Sequence, residues 1–198
     1  MRVVALVLAA GASSRFGSSK LLAPLGDRPV LQHTLDAVAA AGLTRVVVVL
    51  GADAAAVEDG IEWDGERRVV NPRPGDGLSS SIRVGLDEAA LDPTADAVLI
   101  FPGDQPAVSS NVIRAVVAAG RDSAQPIVRA HYPDDPAPNP VLVRRGAWAL
   151  VAGLSGDRGL GPLLAQRPDL VLAVDVVGHN PDVDTPADLA AVAVELGL

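Results

Sequence analysis

Apolar runs of strand length alternate along this chain with Ala-rich stretches of helical period. Val3 to Leu8, Arg45 to Leu50, Arg67 to Val70 and Ala97 to Phe101 read as strands. The first, second and fourth are apolar nearly throughout, as parallel strands buried on both faces are. Val30 to Ala41, Ala54 to Gly60, Leu78 to Ala90, Ser109 to Ala119 and Pro186 to Leu196 carry the helical period. Gly42 and Gly120 stand where the first and fourth of these helices would take a C-cap, and Asp64-Gly65 marks a tight turn before the third strand. This alternation predicts an α/β sheet built from right-handed crossovers.

The pattern changes at Tyr132-Pro133-Asp134-Asp135-Pro136-Ala137-Pro138-Asn139-Pro140. Its four prolines rule out helix and interior strand, so it reads as an extended surface loop. The strands on either side include Ile127 to Ala130 and Val141 to Val143. No repeat or low-complexity tail interrupts the rest, and 198 residues suffice for one large domain, 1–198, with a sizeable core.

Composition narrows the chemistry. Aromatic residues are 3% of the chain, so Val, Leu, Ile and Ala must carry the core. A formal charge of −8 argues against a nucleic-acid coat, which draws its affinity from a basic face. The absence of cysteine excludes a disulfide framework, a thiolate metal site and a cysteine nucleophile. The first apolar run, about six residues, falls short of the roughly 20 that span a membrane and lacks the layout of a cleavable signal. A cytoplasmic protein without membrane or nucleic-acid partners is therefore expected. His33, His131 and His179 show no metal-ligand spacing and read as structural or surface residues.

Leu8-Ala9-Ala10-Gly11-Ala12-Ser13-Ser14-Arg15-Phe16-Gly17-Ser18-Ser19-Lys20 leaves the first strand as a loop of small residues and ends on the only lysine in the chain. Small residues let backbone N–H groups approach an anion, and Arg15 and Lys20 add charge, so the loop suits a polyphosphate. The plainer alternative is a βα loop with an incidental basic residue. Neither familiar phosphate motif fits: Gly17 is followed by Ser18-Ser19-Lys20-Leu21, and the residue two after Gly11 is Ser13.

Gly103-Asp104-Gln105-Pro106 puts Asp104 just past the carboxyl end of a strand, where ligands bind in open α/β sheets. A carboxylate there suits Mg²⁺, or simply satisfies a turn. In Asn180-Pro181-Asp182-Val183-Asp184-Thr185-Pro186-Ala187-Asp188-Leu189, Thr185 caps a helix that opens on Pro186, with Asp188 at the positive end of its dipole. Asp182 and Asp184 alternate in an extended segment and so point to one side. Gly77-Leu78-Ser79-Ser80-Ser81 offers backbone N–H groups and hydroxyls to a base edge or phosphate, or serial N-capping. Asp157, in Gly156-Asp157-Arg158-Gly159, is a candidate cap for a helix through Leu164.

Taken in order, these segments resemble the nucleotidyltransferases that activate sugars, cofactors and isoprenoid precursors. Leu8, Ala9, Ala10, Gly11, Ser13, Arg15, Gly17 and Lys20 match that family's signature. Gly-Asp-Gln-Pro has the form found in its molybdenum cofactor cytidylyltransferase branch, and the Asp182 to Leu189 segment is similar to the one that closes the family's active site. Leu-Ala-Ala-Gly is closer to the cytidylyl than to the guanylyl branch, which has Leu-Ala-Gly-Gly. The resemblance runs from Leu8 to Leu189. It implies a Rossmann-like three-layer α/β/α fold with a mostly parallel sheet, a nucleotide half over about 1–106 and an acceptor half over about 107–198.

The resemblance also implies Mg²⁺-dependent transfer of CMP from CTP to molybdopterin (molybdenum) cofactor with release of pyrophosphate. Arg15, Lys20 and Asp104 would be catalytic, and Asp104 and Asp184 would hold the metal, with Asp184 preferred over Asp182. Leu8, Ala9, Ala10, Gly11, Ser13, Arg15, Lys20, Asn71, Gly77, Ser79 and Ser80 would bind the nucleotide. Asn139, Pro140, Gly156, Asp157 and Asp182 would bind the acceptor. Pro138-Asn139-Pro140 departs from the family's Gly-His-Pro, which leaves methylerythritol phosphate, a sugar phosphate or phospholactate as alternative acceptors. Two further readings are compatible with the same residues: use of GTP, and a non-catalytic nucleotide- or cofactor-binding partner of a molybdoenzyme.

Overall fold

In the computed structural model, which describes residues 1–11, 16, 19–133, 138–157 and 159–198, the apolar run at the start of the chain becomes β1 (Val3–Ala9), buried along its whole length. Its side chains alternate faces: Val3, Ala5, Val7 and Ala9 enter one hydrophobic layer, and Val4, Leu6 and Leu8 the other. A small hairpin, β2 (Pro24–Leu25) and β3 (Arg28–Pro29), leads into α1 (Val30–Ala40), β4 (Val46–Leu50) and α2 (Ala54–Gly60). β5 (Arg67–Val70), α3 (Leu78–Ala90) and β6 (Ala97–Pro102) follow, close to the bounds the apolar pattern predicts. The second half consists of α4 (Ser110–Asp122), β7 (Ile127–His131), β8 (Val141–Arg144), α5 (Trp148–Ala152), α6 (Gly161–Gln166), β9 (Val171–Asp175) and α7 (Pro186–Leu196).

Seven strands form one sheet in the order β5-β4-β1-β6-β8-β7-β9. β1, β4, β5 and β6 are mutually parallel, as are β7 and β9, while β8 runs antiparallel to both its neighbours. That reversal follows from the short connection between β7 and β8, residues 132–140, because a parallel return needs a crossover of a dozen or more residues. Helices α1, α2 and α4 bury Leu31, Leu35, Val57, Val112 and Val116 on one face, and α3, α5 and α6 bury Ile82, Leu86 and Val151 and pack Leu163 on the other. The result is the three-layer, mostly parallel arrangement. A third cluster of Ala23, Leu25, Val30, Val183 and Val192 joins the hairpin, α1 and α7.

The chain goes from β1 outward to β4 and β5, then returns to place β6 on the other side of β1. This change of direction leaves a crevice at the carboxyl ends of β1 and β6. Leu8 pairs with Pro102 in the register, so Ala10 and Gly11 leave the sheet beside Gly103 and Asp104.

Three local readings are corrected. Helix α4 continues to Asp122, so Gly120 is not its cap; a Cβ there would lie 2.9 Å from Leu142, and glycine is what lets that leucine pack. The N-cap of α3 is Gly77, with no side-chain cap, so Ser79, Ser80 and Ser81 lie inside the helix instead of capping it. Asp157 does not cap α6, whose N-cap is Leu160 without a side-chain bond. β9 and α5 have no counterpart in the elements read from the sequence. Among the described residues no helix is long and apolar enough to cross a membrane.

Candidate active site

The crevice opens into a cavity of about 490 Å³. Leu8, Ala10 and Gly11 line it from the end of β1, Gly77, Leu78 and Ser81 from the start of α3, and Asp104 from the end of β6. Asn139, Asp157, Asp182 and Asp184 close the opposite side.

Lys20 sits in a 3₁₀ turn, Lys20–Leu22, anchored by buried Leu21. Upstream, the Ser19 hydroxyl donates to Asp53 at 2.5 Å. The Lys20 side chain is only 9% exposed, and its Nζ lies 2.5 Å from Asp104 Oδ2 and 2.7 Å from Asp184 Oδ1. Burial alone would lower its pKa, but the charges and hydrogen bonds of Asp104 and Asp184 outweigh that and hold the ammonium above its ordinary value. One cation therefore bridges the two carboxylates expected to share a metal.

The alternation that points Asp182 and Asp184 to one side has a physical anchor between them. Val183 is fully buried in the third cluster, and its N–H donates to the Asp104 carbonyl at 2.9 Å. A buried valine contributes about 1.5–3 kcal/mol, which holds both flanking carboxylates toward the cavity. Asp182 receives a hydrogen bond from Gln105 Nε2 at 2.8 Å. Burial, then the charge of Asp104, push its carboxyl above the usual range against that bond.

Past Asp184 the chain enters α7 through a capping box. Thr185 Oγ1 accepts from the Asp188 N–H at 3.2 Å, and Asp188 Oδ2 accepts from the backbone N–H groups of Thr185 at 2.8 Å and Asp184 at 3.1 Å. Thr185→Ala is expected to lower stability by about 1 kcal/mol, read as a lower denaturation midpoint. Hydrogen exchange at the Asp184 amide should rise with it.

Gly77 has φ +90°, and a Cβ on it would meet the Gly156 carbonyl carbon at 2.6 Å. The Ser79 N–H donates to the Gly156 carbonyl at 3.2 Å, which brings Asp157 against the cavity. Asn71 is buried behind this wall, where its Nδ2 donates to Ser80 Oγ at 2.8 Å and Ser81 Oγ at 3.0 Å.

Of the residues expected from sequence, the structure brings Leu8, Ala10, Gly11, Gly77, Asp104, Asn139, Asp157, Asp182 and Asp184 to one cavity, with Lys20 bound to two of them. Ala9 belongs to the core layer on the other face of β1, Asn71, Ser79, Ser80 and Pro140 are buried outside the lining, and Gly156, exposed, meets the wall only through its backbone at Gly77 and Ser79. Ser13 and Arg15 lie outside the described residues. The Gly77 to Ser81 segment offers three hydroxyls, of which Ser79 and Ser80 are the ones expected at the nucleotide, whereas Leu78 and Ser81 are the two that line the cavity; Gln105 and Asn180, a buried pair, carry no ligand role in the sequence. Helical phase from a Gly77 cap would have found Leu78 and Ser81; only the fold reveals Gln105 and Asn180.

Fold and cavity together define an α/β protein whose cavity lies at the sheet's switch point, the place where open α/β sheets bind ligands. The chain belongs to the family of MobA-like NTP transferase domains, which it matches over residues 5–177. It is 32% identical over 193 residues to nicotine blue oxidoreductase of Paenarthrobacter nicotinovorans, covering 92% of each chain. Among solved structures it is similar to the homolog of Rv0371c from Mycobacterium sp. strain JC1, at 33% identity and a TM-score of 0.89 over 99% of this chain and 97% of that one. The Rv0371c complex with manganese from Mycobacterium tuberculosis follows at 32% identity and 0.80, over 98% and 99%. Membership in this family supports an enzyme of the nucleotidyltransferase class acting on a phosphorylated acceptor.

Proposed function

We propose that the protein is a Mg²⁺-dependent cytidylyltransferase of the cytoplasm, transferring CMP from CTP to molybdopterin cofactor with release of pyrophosphate. The observation that supports it most directly is the convergence on one cavity of the β1 end, the α3 start and the Asp104–Lys20–Asp184 bridge. An oxygen of the acceptor phosphate attacks the α-phosphorus in line; the new O–P bond forms as the bond to the β-phosphate oxygen breaks, and pyrophosphate leaves. A phosphate monoester is already largely ionised near neutral pH, so no protein nucleophile is needed.

In this reading Lys20 and Arg15 hold the charge of the leaving pyrophosphate. Asp104 and Asp184 fit a divalent cation: both are hard oxygen donors, and both already converge on a single positive group. When bound, the metal supplies neutralisation of triphosphate charge, and the manganese complex of the related Rv0371c is in keeping with such a site. The first half of the chain, about 1–106, takes the nucleotide, and the half from about 107 to 198 the acceptor.

Ala10 lines the cavity, and its backbone runs so close to Gly51 that a Cβ there would lie 2.8 Å from the Ala10 Cα, which fixes this stretch of the wall. Such a wall favours the smaller pyrimidine. CTP is expected to bind more tightly than GTP by about 10- to 200-fold, the discrimination one methyl supports, and Ala10→Gly should narrow it. Competition binding in Mg²⁺ buffer measures both, and GTP binding as tightly as CTP removes the cytidylyl assignment.

A second reading, a redox reaction, is favoured by one observation: the relative named nicotine blue oxidoreductase matches nearly the whole chain. Pyrophosphate release over CTP, GTP, ATP and UTP with each candidate acceptor separates the two. Release that depends on acceptor supports transfer; no release with any pair overturns it.

A further inference from the structure

Gln105 and Asn180 are 2% and 1% exposed, and no step of the proposed transfer uses either. Their hydrogen bonds run in one direction only. The Asp182 carboxylate can only accept, so Gln105 must turn Nε2 toward it, at 2.8 Å. Gln105 Oε1 is thereby left to accept from Asn180 Nδ2 at 2.9 Å, and the same Nδ2 donates to the Asn139 carbonyl at 3.3 Å. The relay joins the loop after β6, the loop before β8 and the segment before α7. Thr34, fully buried, donates from Oγ1 to the Gln105 carbonyl at 3.4 Å and fixes the middle of the relay to α1.

The two neighbouring carboxylates are thus treated differently. Asp184 is paired with the ammonium of Lys20, whereas Asp182 is held by a neutral amide through Oδ1, and among the described residues its Oδ2 has no hydrogen-bond donor. A carboxylate held in this way, at the wall of the cavity beside Asn139, keeps its acceptor capacity for whatever enters.

We propose that Gln105 and Asn180 are positioning residues that fix Asp182 as a hydrogen-bond acceptor for a hydroxyl or amino group of the second substrate. That substrate is then a phosphorylated molecule that also donates hydrogen bonds, and a bare phosphate ester lacking such a group is a poor acceptor. The inference rests on the nucleotidyltransferase reading.

The test compares wild type with Gln105→Glu, Asp182→Asn and the double variant in three measurements: thermal midpoint, CTP affinity in Mg²⁺ by calorimetry, and kcat and KM with molybdopterin cofactor as acceptor. Gln105→Glu sets carboxylate against carboxylate, so its midpoint should fall and its acceptor KM rise about tenfold, the loss of one charge-assisted hydrogen bond. CTP affinity should not change. The double variant exchanges amide and carboxylate, so the hydrogen bond returns with reversed polarity while the second carboxylate oxygen at position 105 still accepts from Asn180. Its midpoint should recover, and its acceptor KM should stay raised because the charge at position 182 is gone. A midpoint that does not recover overturns the relay. Recovery of KM together with the midpoint, or a parallel loss of CTP affinity, reduces the pair to a structural role and overturns the positioning claim. A wild-type protein that releases no pyrophosphate with any nucleotide overturns the transfer reading and the acceptor claim with it, while the cycle of midpoints still decides whether the relay exists.

Discussion

Lys20→Ala is expected to lower turnover by roughly 10²-fold or more, the cost of removing one charge-assisted contact made to developing charge. The protein should remain folded. Breaking a fully buried ion pair costs about 3–5 kcal/mol, but the Asp104 and Asp184 side chains are 20% and 38% exposed, so water screens what Lys20 leaves behind. The same substitution should tighten Mn²⁺ binding to the nucleotide-free protein. In the wild type a dication must compete with a tethered ammonium for the two carboxylates; in the variant that ammonium is gone. A triphosphate gives that ammonium another partner, so nucleotide and metal should each strengthen the binding of the other by the same factor. Electron paramagnetic resonance of free Mn²⁺, with and without CTP, measures both effects. Turnover at the wild-type level in a folded variant removes Lys20 from the phosphate-binding role.

Much of this site is legible in the sequence because strand ends are. β1 and β6 announce themselves as apolar runs, and the first small and acidic residues after each, Gly11 and Asp104, fall where a parallel sheet binds its ligands. The alternation of Asp182 and Asp184 is legible for the same reason: period two is a property of extended backbone. Helical phase is where the reading fails. With Gly77 at the cap, Leu78 and Ser81, three apart, share the face toward the cavity, and Ser79 and Ser80 turn into the protein. Composition singles out three serines without saying which faces the ligand. The partner of Lys20 is not legible at all, since it lies 84 residues away at Asp104 and farther still at Asp184, and only the β1–β6 register and the buried Val183 bring them together. β9 escapes notice because, at the sheet's edge, it is half-buried and lacks the unbroken apolar run of a central strand.

Asp104→Asn is expected to move the metal dependence of turnover more than any other single change in the cavity. Outer partners of metal ligands cost about 10- to 100-fold in metal affinity when removed, so loss of a direct carboxylate ligand should reach about 10²-fold. Asp104 also stands at the junction of the site: its side chain meets Lys20, and its carbonyl accepts from Val183. Replacing one carboxylate oxygen by an amide nitrogen keeps the shape and the backbone bond but removes the charge, so the denaturation midpoint should move little while the Mg²⁺ or Mn²⁺ concentration for half-maximal rate rises. Asp184→Asn should act in the same direction with a smaller effect, since its side chain is the more exposed of the two and the weaker electrostatic partner. Asp182→Asn is the control: its carboxylate is held by Gln105 and not by Lys20, so its metal response should match wild type. A metal response that shifts with Asp182 and not with Asp184 would reverse the assignment of the second ligand, and with it the division of the two carboxylates between metal and acceptor.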